Sequence, residues 1–259
     1  MTSFFPEDRL DILARKFHIG PYARLQKEDP KKEEDSSATR EFSIDDGLGD
    51  RFVIKNIPFK DAFYTLQWSE ELIDGGQSRT QDEWKDFLQQ SEWKLPDAPL
   101  YHATLAALYA HKDGLQSELV EKVRNTFSKH FKERWLVTGS WVVYEPQGND
   151  TVKHALLGAE KQAMVVGPDG WVNARCGFED SMNALLCTCE LAEVEKVYEW
   201  VSGKKPYLWR INNKKNVNAE RAVVLGVYLD RFVIDAYVII SAVGPLSGWS
   251  SARRKLHRK

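Results

Sequence analysis

The spacing of hydrophobic positions changes near residue 135. Before that point apolar residues recur every three or four positions, most clearly from Leu115 to Phe131. This spacing predicts amphipathic helices, because it places the apolar side chains on one side of a helix. From Trp135 onward, β-branched and aromatic residues gather in short segments, which is typical of strands. The chain is therefore expected to form helices first and strands afterwards.

This order of elements predicts an α+β fold with a helical N-terminal half, followed by a mostly antiparallel β-sheet with one packed helix. Apolar spacing predicts a helix from Pro58 to about Ile73, and Asp97 is expected to cap a buried helix, PLYHATLAALYAH. The packed helix is predicted in AEVEKVYEWVSG, where Gly203 would end it. A hairpin is predicted where two short strands flank Gly-Pro-Asp-Gly at 167–170.

Shifts in composition divide the chain into four segments. Residues 1–50 are expected to contain a short helix and a flexible charged linker, because polar and charged residues dominate there. Residues 51–134 would form the helical part, 135–252 the mainly antiparallel sheet part, and 253–259 a basic tail. The alternative is that 51–252 form a single domain.

The densest run of β-branched and aromatic residues lies at 206–243. It predicts three strands, with a polar, basic loop between the first and the second. The last two strands are expected to pair as antiparallel neighbours around Asp230 and Arg231. Because Asp-Arg is a poor hairpin turn, one bent strand with a bulge is the alternative.

Charge is distributed unevenly along the chain. Residues 204–259 contain 12 Lys and Arg and three acidic residues, a net charge of +9, whereas residues 1–203 contain 24 and 35, a net charge of −11. Such asymmetry suggests either a polyanion partner or acidic and basic faces that dock on each other.

Several classes of protein are disfavoured by the sequence. No apolar run approaches the roughly 18 residues that span a bilayer, and the N-terminus lacks a secretory signal, so we expect no membrane partner. The odd set of Cys176, Cys187 and Cys189 suggests reduced thiols and a cytoplasmic location. One Cys-x-Cys pair does not match a zinc site, and the phosphate-binding and dinucleotide glycine patterns are absent. No metal or cofactor is expected.

Basic and aromatic residues near the start of 206–243 are candidate ligand-binding residues. Lys and Arg neutralise phosphate, Asn can bind base edges and Trp can stack on a base. The candidates in and beside the loop are Trp209, Arg210, Asn212, Lys214, Lys215 and Arg221, and those in the tail are Arg253, Arg254 and Lys255. The alternative is a solvated loop with Trp209 in the core and a mobile tail.

Asp235 is the one candidate for a catalytic carboxylate. In FVIDAYVII it would share a strand face with Arg231, Val233, Tyr237 and Ile239. A carboxylate among such neighbours must be paired, hydrogen-bonded or shifted in pKa. The alternative is a structural ion pair with Arg231 or Arg221.

Three hypotheses for function follow. The first is a binding module for RNA, DNA or another polyanion, which would use the basic C-terminal sheet and tail. The second is a hydrolase- or transferase-type enzyme with a pocket at the helix–sheet junction, Asp235 and Arg210 at its centre, and Trp209 or Trp141 as a platform. The third is a self-assembling interaction protein, so a homo-oligomer is also considered.

Overall fold

The computed structural model describes residues 23–24, 41–47, 49–71, 83, 86–87, 93–145, 150–156, 158–163, 169–173, 177–211 and 219–237. Within them the elements follow in the order β1 (Ala23–Arg24), β2 (Ser43–Asp45), β3 (Arg51–Phe59), β4 (Ala62–Ser69), β5 (Trp93–Lys94), α1 (Ala98–Ala110), α2 (Ser117–Glu133), β6 (Leu136–Tyr144), β7 (Thr151–His154), β8 (Gly158–Ala163), β9 (Gly170–Trp171), α3 (Glu179–Leu186), α4 (Leu191–Ser202), β10 (Pro206–Trp209), β11 (Ala219–Tyr228) and β12 (Arg231–Tyr237).

The predicted helical N-terminal half is wrong. Strands β2, β3 and β4 form an antiparallel sheet, and β4 occupies half of the segment that was predicted as a helix from Pro58 to about Ile73. Alternate residues of β4, from Ala62 to Trp68, are buried. Leu66 fits both the spacing of a helix and the alternating spacing of a strand. Pairing with β3 selects the strand.

Helices α1 and α2 confirm the two clearest helical predictions. Asp97 precedes α1, but its side chain does not cap that helix; Asp97 Oδ2 accepts a hydrogen bond from Leu156 N at 2.9 Å instead. In α2 the predicted apolar positions from Val120 to Phe131 are buried, whereas Leu115 precedes the helix and is exposed. The N-terminal helix predicted within 1–50 lies outside the described residues.

The second sheet has seven strands in the order β8-β7-β6-β11-β12-β10-β9. All neighbours pair antiparallel except β10 and β12, which are parallel, so this sheet is mostly antiparallel as predicted. β11 and β12 form the predicted pair, with Tyr228 opposite Arg231. The described part of the segment 135–252 contains two helices, α3 and α4, instead of one, and Gly203 ends α4 as predicted.

Most of the first strand and of the turn of the hairpin predicted around Gly-Pro-Asp-Gly, residues 164–168, lie outside the described residues. β8 and β9, which precede and follow that turn, lie at opposite edges of the seven-stranded sheet. β9 pairs with β10, and Trp171 lies opposite Tyr207.

One face of this sheet packs against the helices. The main hydrophobic core joins buried residues of α1, α2, α3 and α4 to Phe232, Ile234 and Ala236 of β12. The Phe232 ring lies 5.1 Å from that of Phe131 in α2 and 4.5 Å from that of Tyr198 in α4. No helix among the described residues is long and apolar enough to cross a membrane.

Candidate functional site

The opposite face of the seven-stranded sheet carries a group of aromatic and basic side chains, which we call the aromatic face. Since Phe232, Ile234 and Ala236 of β12 face the helices, the alternate residues of that strand point away from them. Strand register and ring contacts identify the residues of the neighbouring strands that lie on the same side of the sheet. The members of the aromatic face are Trp135, Trp141, Trp171, Tyr207, Trp209, Arg210, Tyr228, Arg231, Asp235 and Tyr237.

An ion pair between Arg210 and Asp235 lies at the centre of this face. Arg210 Nε donates to Asp235 Oδ1 at 2.9 Å, and Arg210 Nη2 donates to Oδ2. Such a two-bonded pair fixes the direction of the guanidinium group as well as its position. Asp235 is 0% exposed, whereas the Arg210 side chain keeps 26% of its surface exposed. The guanidinium group of Arg210 is therefore fixed in position and partly exposed to solvent on this face of the sheet.

Three aromatic rings surround the Arg210 guanidinium group. Its central carbon lies 4.4 Å from the ring centre of Tyr237, 4.6 Å from that of Trp209 and 5.6 Å from that of Trp135. Distances below about 6 Å allow an attractive cation–π interaction. The Trp135 ring also meets Tyr228 edge-on at 6.0 Å, which extends the cluster towards β11.

Arg210 reaches this face because its backbone leaves the strand geometry. Strand alternation would send the side chain after Trp209 towards the helices. Arg210 instead has a φ of 55°, which is uncommon for a residue other than glycine. This turn at the end of β10 allows the guanidinium group to meet Asp235 and Trp209 on the same side.

Arg221 lies on the helix side of the sheet and supports the same turn. It is 2% exposed, its Nη1 donates to Arg210 O at 3.5 Å, and its guanidinium carbon lies 5.2 Å from the Tyr144 ring centre. Tyr144 Oη donates to Ile211 O at 2.8 Å. Both side chains therefore bind the backbone that follows β10, and Arg221 is separated from the aromatic face by the sheet.

A second guanidinium group with aromatic neighbours lies towards the sheet edge. The central carbon of Arg231 is 4.6 Å from the ring centre of Tyr207 and 5.0 Å from that of Trp171. Arg231 Nε donates to the exposed carboxylate of Asp230 at 3.0 Å. Trp171 is 38% exposed and Arg231 is 30% exposed, so this part of the face is open to solvent.

Burial controls the protonation of Asp235. Loss of water raises its pKa from 3.8 to about 6, although the hydrogen bonds and positive charge of Arg210 act in the opposite direction. The carboxylate is closed to solvent, and both of its oxygens accept hydrogen bonds from Arg210. This placement favours the structural alternative for Asp235 over direct contact with a substrate.

The structure joins some of the candidate residues and separates others. Trp209, Arg210 and Asp235 meet on the aromatic face, and Asp235 shares its strand face with Arg231, Val233 and Tyr237 as predicted. The expected partner of Asp235 was wrong, since Arg210 binds it in place of Arg231 or Arg221. The other candidates lie outside the described residues: Asn212, Lys214, Lys215, Arg253, Arg254 and Lys255.

Several members of the aromatic face were not predicted as site residues, namely Trp135, Trp171, Tyr207, Tyr228, Arg231 and Tyr237. The alternation of side chains in β10 and β12 could have placed Tyr207 and Tyr237 on this face from the sequence. Trp171 and Trp135 join the face only through strand pairing and packing between segments distant in the chain, which no local pattern displays. No group of three or more His, Cys, Asp and Glu in the described part of the chain is arranged to hold a metal ion.

Comparisons of the chain with protein-family models, with curated proteins and with solved structures found no match.

Proposed function

We propose that this protein binds single-stranded nucleic acid on the aromatic face of its seven-stranded sheet. The observation that carries the proposal is the pair of guanidinium groups, Arg210 and Arg231, each held beside aromatic rings on the side of the sheet away from the helices.

The rings suit unpaired bases. Bases stack on Trp, Tyr and Phe rings and on guanidinium planes, and each stacked base adds about 1–3 kcal/mol of binding free energy. Trp171 is exposed, and Tyr207, Trp209, Tyr228 and Tyr237 are partly exposed, so several rings offer surface. A duplex buries its base planes in its own stack, so the rings favour single strands.

The charges suit a phosphate backbone. Arg210 and Arg231 keep part of their guanidinium surface exposed, and Lys153 of β7 forms a surface pair with Glu220 near the other edge. The residues from 204 to 259 carry a net charge of +9, which would attract a polyanion. Asp235 and Asp230 offset part of the guanidinium charge, so we expect stacking to supply much of the affinity and the salt dependence to be moderate.

Fluorescence anisotropy with labelled oligonucleotides of about 12 residues tests the proposal. We expect the protein to bind oligo(U) or oligo(dT) and to bind the matching duplex much more weakly. Raising the salt from about 50 to about 200 mM should reduce the affinity without abolishing it. Comparison of oligo(U) with oligo(dT) shows whether the protein prefers RNA or DNA.

Arg231 has a well-matched control elsewhere in the chain. Arg51 also binds the preceding aspartate, with Arg51 Nε 2.9 Å from Asp50 Oδ1, and its guanidinium carbon lies 5.1 Å from the Trp93 ring centre. Arg231→Met and Trp171→Ala should each weaken single-strand binding about 5- to 100-fold, corresponding to roughly 1–3 kcal/mol. Arg51→Met should leave it unchanged.

Two outcomes would overturn the proposal: no binding by the wild-type protein at low salt, or equal losses for Arg51→Met and Arg231→Met. The enzyme and self-assembly hypotheses, the segment boundaries and the cytoplasmic location stay predictions.

A further inference from the structure

Arg231 has hydrogen-bond donors that the described part of the chain leaves unused. Its Nε donates to Asp230 Oδ1 at 3.0 Å. Among the described residues, no group accepts a hydrogen bond from its Nη1 or Nη2. Arg210 differs, because both its Nε and its Nη2 are bound to Asp235. The two terminal amino groups of Arg231 are therefore available to a ligand, and its side chain is 30% exposed.

Two aromatic rings contact this guanidinium group from one side. Its central carbon lies 4.6 Å from the ring centre of Tyr207 and 5.0 Å from that of Trp171, and the two ring centres are 5.2 Å apart. Because the three distances are nearly equal, both rings lie on the same side of the guanidinium carbon. The rings meet at 85°, so they form a corner and do not enclose the group between them. Neither ring covers the other side of Arg231, where a planar ligand can approach beside the exposed Trp171 ring.

The two amino groups of an arginine match a base edge that carries two neighbouring acceptors. Guanine presents O6 and N7 side by side, whereas adenine presents N7 beside an N–H donor, which an arginine N–H repels. Unpaired cytosine also has two neighbouring acceptors, O2 and N3, but its single ring offers less surface for stacking on Trp171. Guanine therefore suits Nη1 and Nη2 of Arg231 best, and arginine bound to guanine in this way is the commonest base-specific contact of proteins with DNA.

The charge of the Arg231–Asp230 pair favours a base over a phosphate. The Asp230 carboxylate is 64% exposed, and the hydrogen bond from Arg231 lowers its pKa, which keeps it ionised. The pair thus has no net charge, and a phosphate that approached Arg231 would also meet the negative charge of Asp230. The edge of a guanine base is uncharged. Building on the proposed nucleic-acid function, we propose that Arg231 makes the aromatic face selective for guanine, with Nη1 and Nη2 donating to O6 and N7 of one unpaired base.

Fluorescence anisotropy with labelled thymine strands of about 12 nucleotides tests the base preference. The central position is guanine, adenine, cytosine or 7-deazaguanine, which keeps O6 and has a C–H group in place of N7. We expect the guanine strand to bind at least about fivefold more tightly than the adenine or cytosine strand, because a two-bonded pair of arginine and base gives discrimination of that size. The 7-deazaguanine strand should bind at least about threefold more weakly than the guanine strand. Equal binding of the guanine strand and any other would overturn the inference but leave the nucleic-acid proposal standing.

Variants test whether Arg231 is the residue that recognises guanine. Arg231→Lys keeps the positive charge but lacks the paired amino groups, so the preference for guanine over adenine should fall below about twofold. Arg51→Lys is the matched control, because Arg51 also binds the preceding aspartate and lies near a tryptophan, and it should keep the full preference. A preference that survives Arg231→Lys would place recognition on another residue and contradict the inference. Absence of binding to all of the strands would overturn the nucleic-acid proposal itself, and this inference with it.

Discussion

Two hydrogen bonds join Arg210 to Asp235 across two parallel strands, β10 and β12. Trp209 is the register partner of Asp235, and the left-handed turn at Arg210 brings the next side chain back over the same carboxylate. The pair thus fixes a guanidinium group among the Trp135, Trp209 and Tyr237 rings. Its loss should affect both the stability of the fold and the aromatic face.

Arg210→Met should be strongly destabilising near neutral pH. It leaves the Asp235 carboxylate buried without its cation, and breaking such a pair costs about 3–5 kcal/mol of unfolding free energy. Urea unfolding measures the change. Arg51→Met, which breaks an exposed pair with Asp50, should cost only about 0–1 kcal/mol. Similar costs for the two variants would show that the Arg210–Asp235 pair is not a buried one in solution.

The pH dependence of stability should contain a contribution from Asp235. Burial raises its pKa from 3.8 to about 6, so between these values the folded state holds the proton more tightly than the unfolded state. The free energy of unfolding from this group therefore falls as the pH rises from about 4 to about 6, and levels off above that range. Asp235→Asn should remove this decline. The difference between the two proteins, measured by urea unfolding across pH 4–7, would be flat if the pKa of Asp235 were normal.

Gly226→Ala should displace the Trp135 ring, which belongs to the aromatic face. A methyl group at this position in β11 would lie 2.9 Å from Trp135 Cδ1 and 3.2 Å from Arg134 O, so the indole ring must move. We expect a loss of about 1–3 kcal/mol of unfolding free energy and a change in tryptophan fluorescence. Gly177→Ala is the control, because its nearest neighbour would be 4.0 Å away. An unchanged fluorescence spectrum in Gly226→Ala would mean that Trp135 does not pack over β11.

Ser140→Ala should weaken the junction between α1 and the seven-stranded sheet. Ser140 Oγ accepts a hydrogen bond from Ala98 N at 2.9 Å and lies 2.7 Å from His154 Nδ1, all within the protein interior. Removing the hydroxyl leaves these buried groups without that partner, which costs about 1–3 kcal/mol. Thr126→Ala, which removes only a surface bond to Lys122 O, should cost less. Thermal unfolding of both variants provides the comparison, and equal stability would contradict a structural role for Ser140.

Helices and strands whose apolar residues recur with one clear spacing could be predicted from the sequence. α2 and α4 have clear helical spacing, and the β-branched runs of β6, β11 and β12 formed strands as expected. β4 was predicted wrongly because its apolar residues fit two periods, and only its partner β3 selects one. The order of the strands in the seven-stranded sheet could not be predicted for the same reason, since it depends on long-range pairing.

The candidate site was predictable only in part. Alternation correctly placed Asp235 with Arg231 and Tyr237, because the side-chain period of a strand is fixed. The same rule applied to β10 would have put Arg210 on the opposite side from Asp235. The positive φ of Arg210 reverses that outcome. Such a backbone conformation at an arginine has no signature in the sequence.

The position of β12 also bears on the order in which the protein can fold during synthesis. β12 is the last described strand to leave the ribosome, yet it lies between β11 and β10 and alone connects β10 and β9 to the other four strands. Because chains are made from the N-terminus, these two strands must wait for β12 before they can join the sheet. Until then the proposed nucleic-acid surface does not exist, and a chain released before Arg231 would lack it entirely.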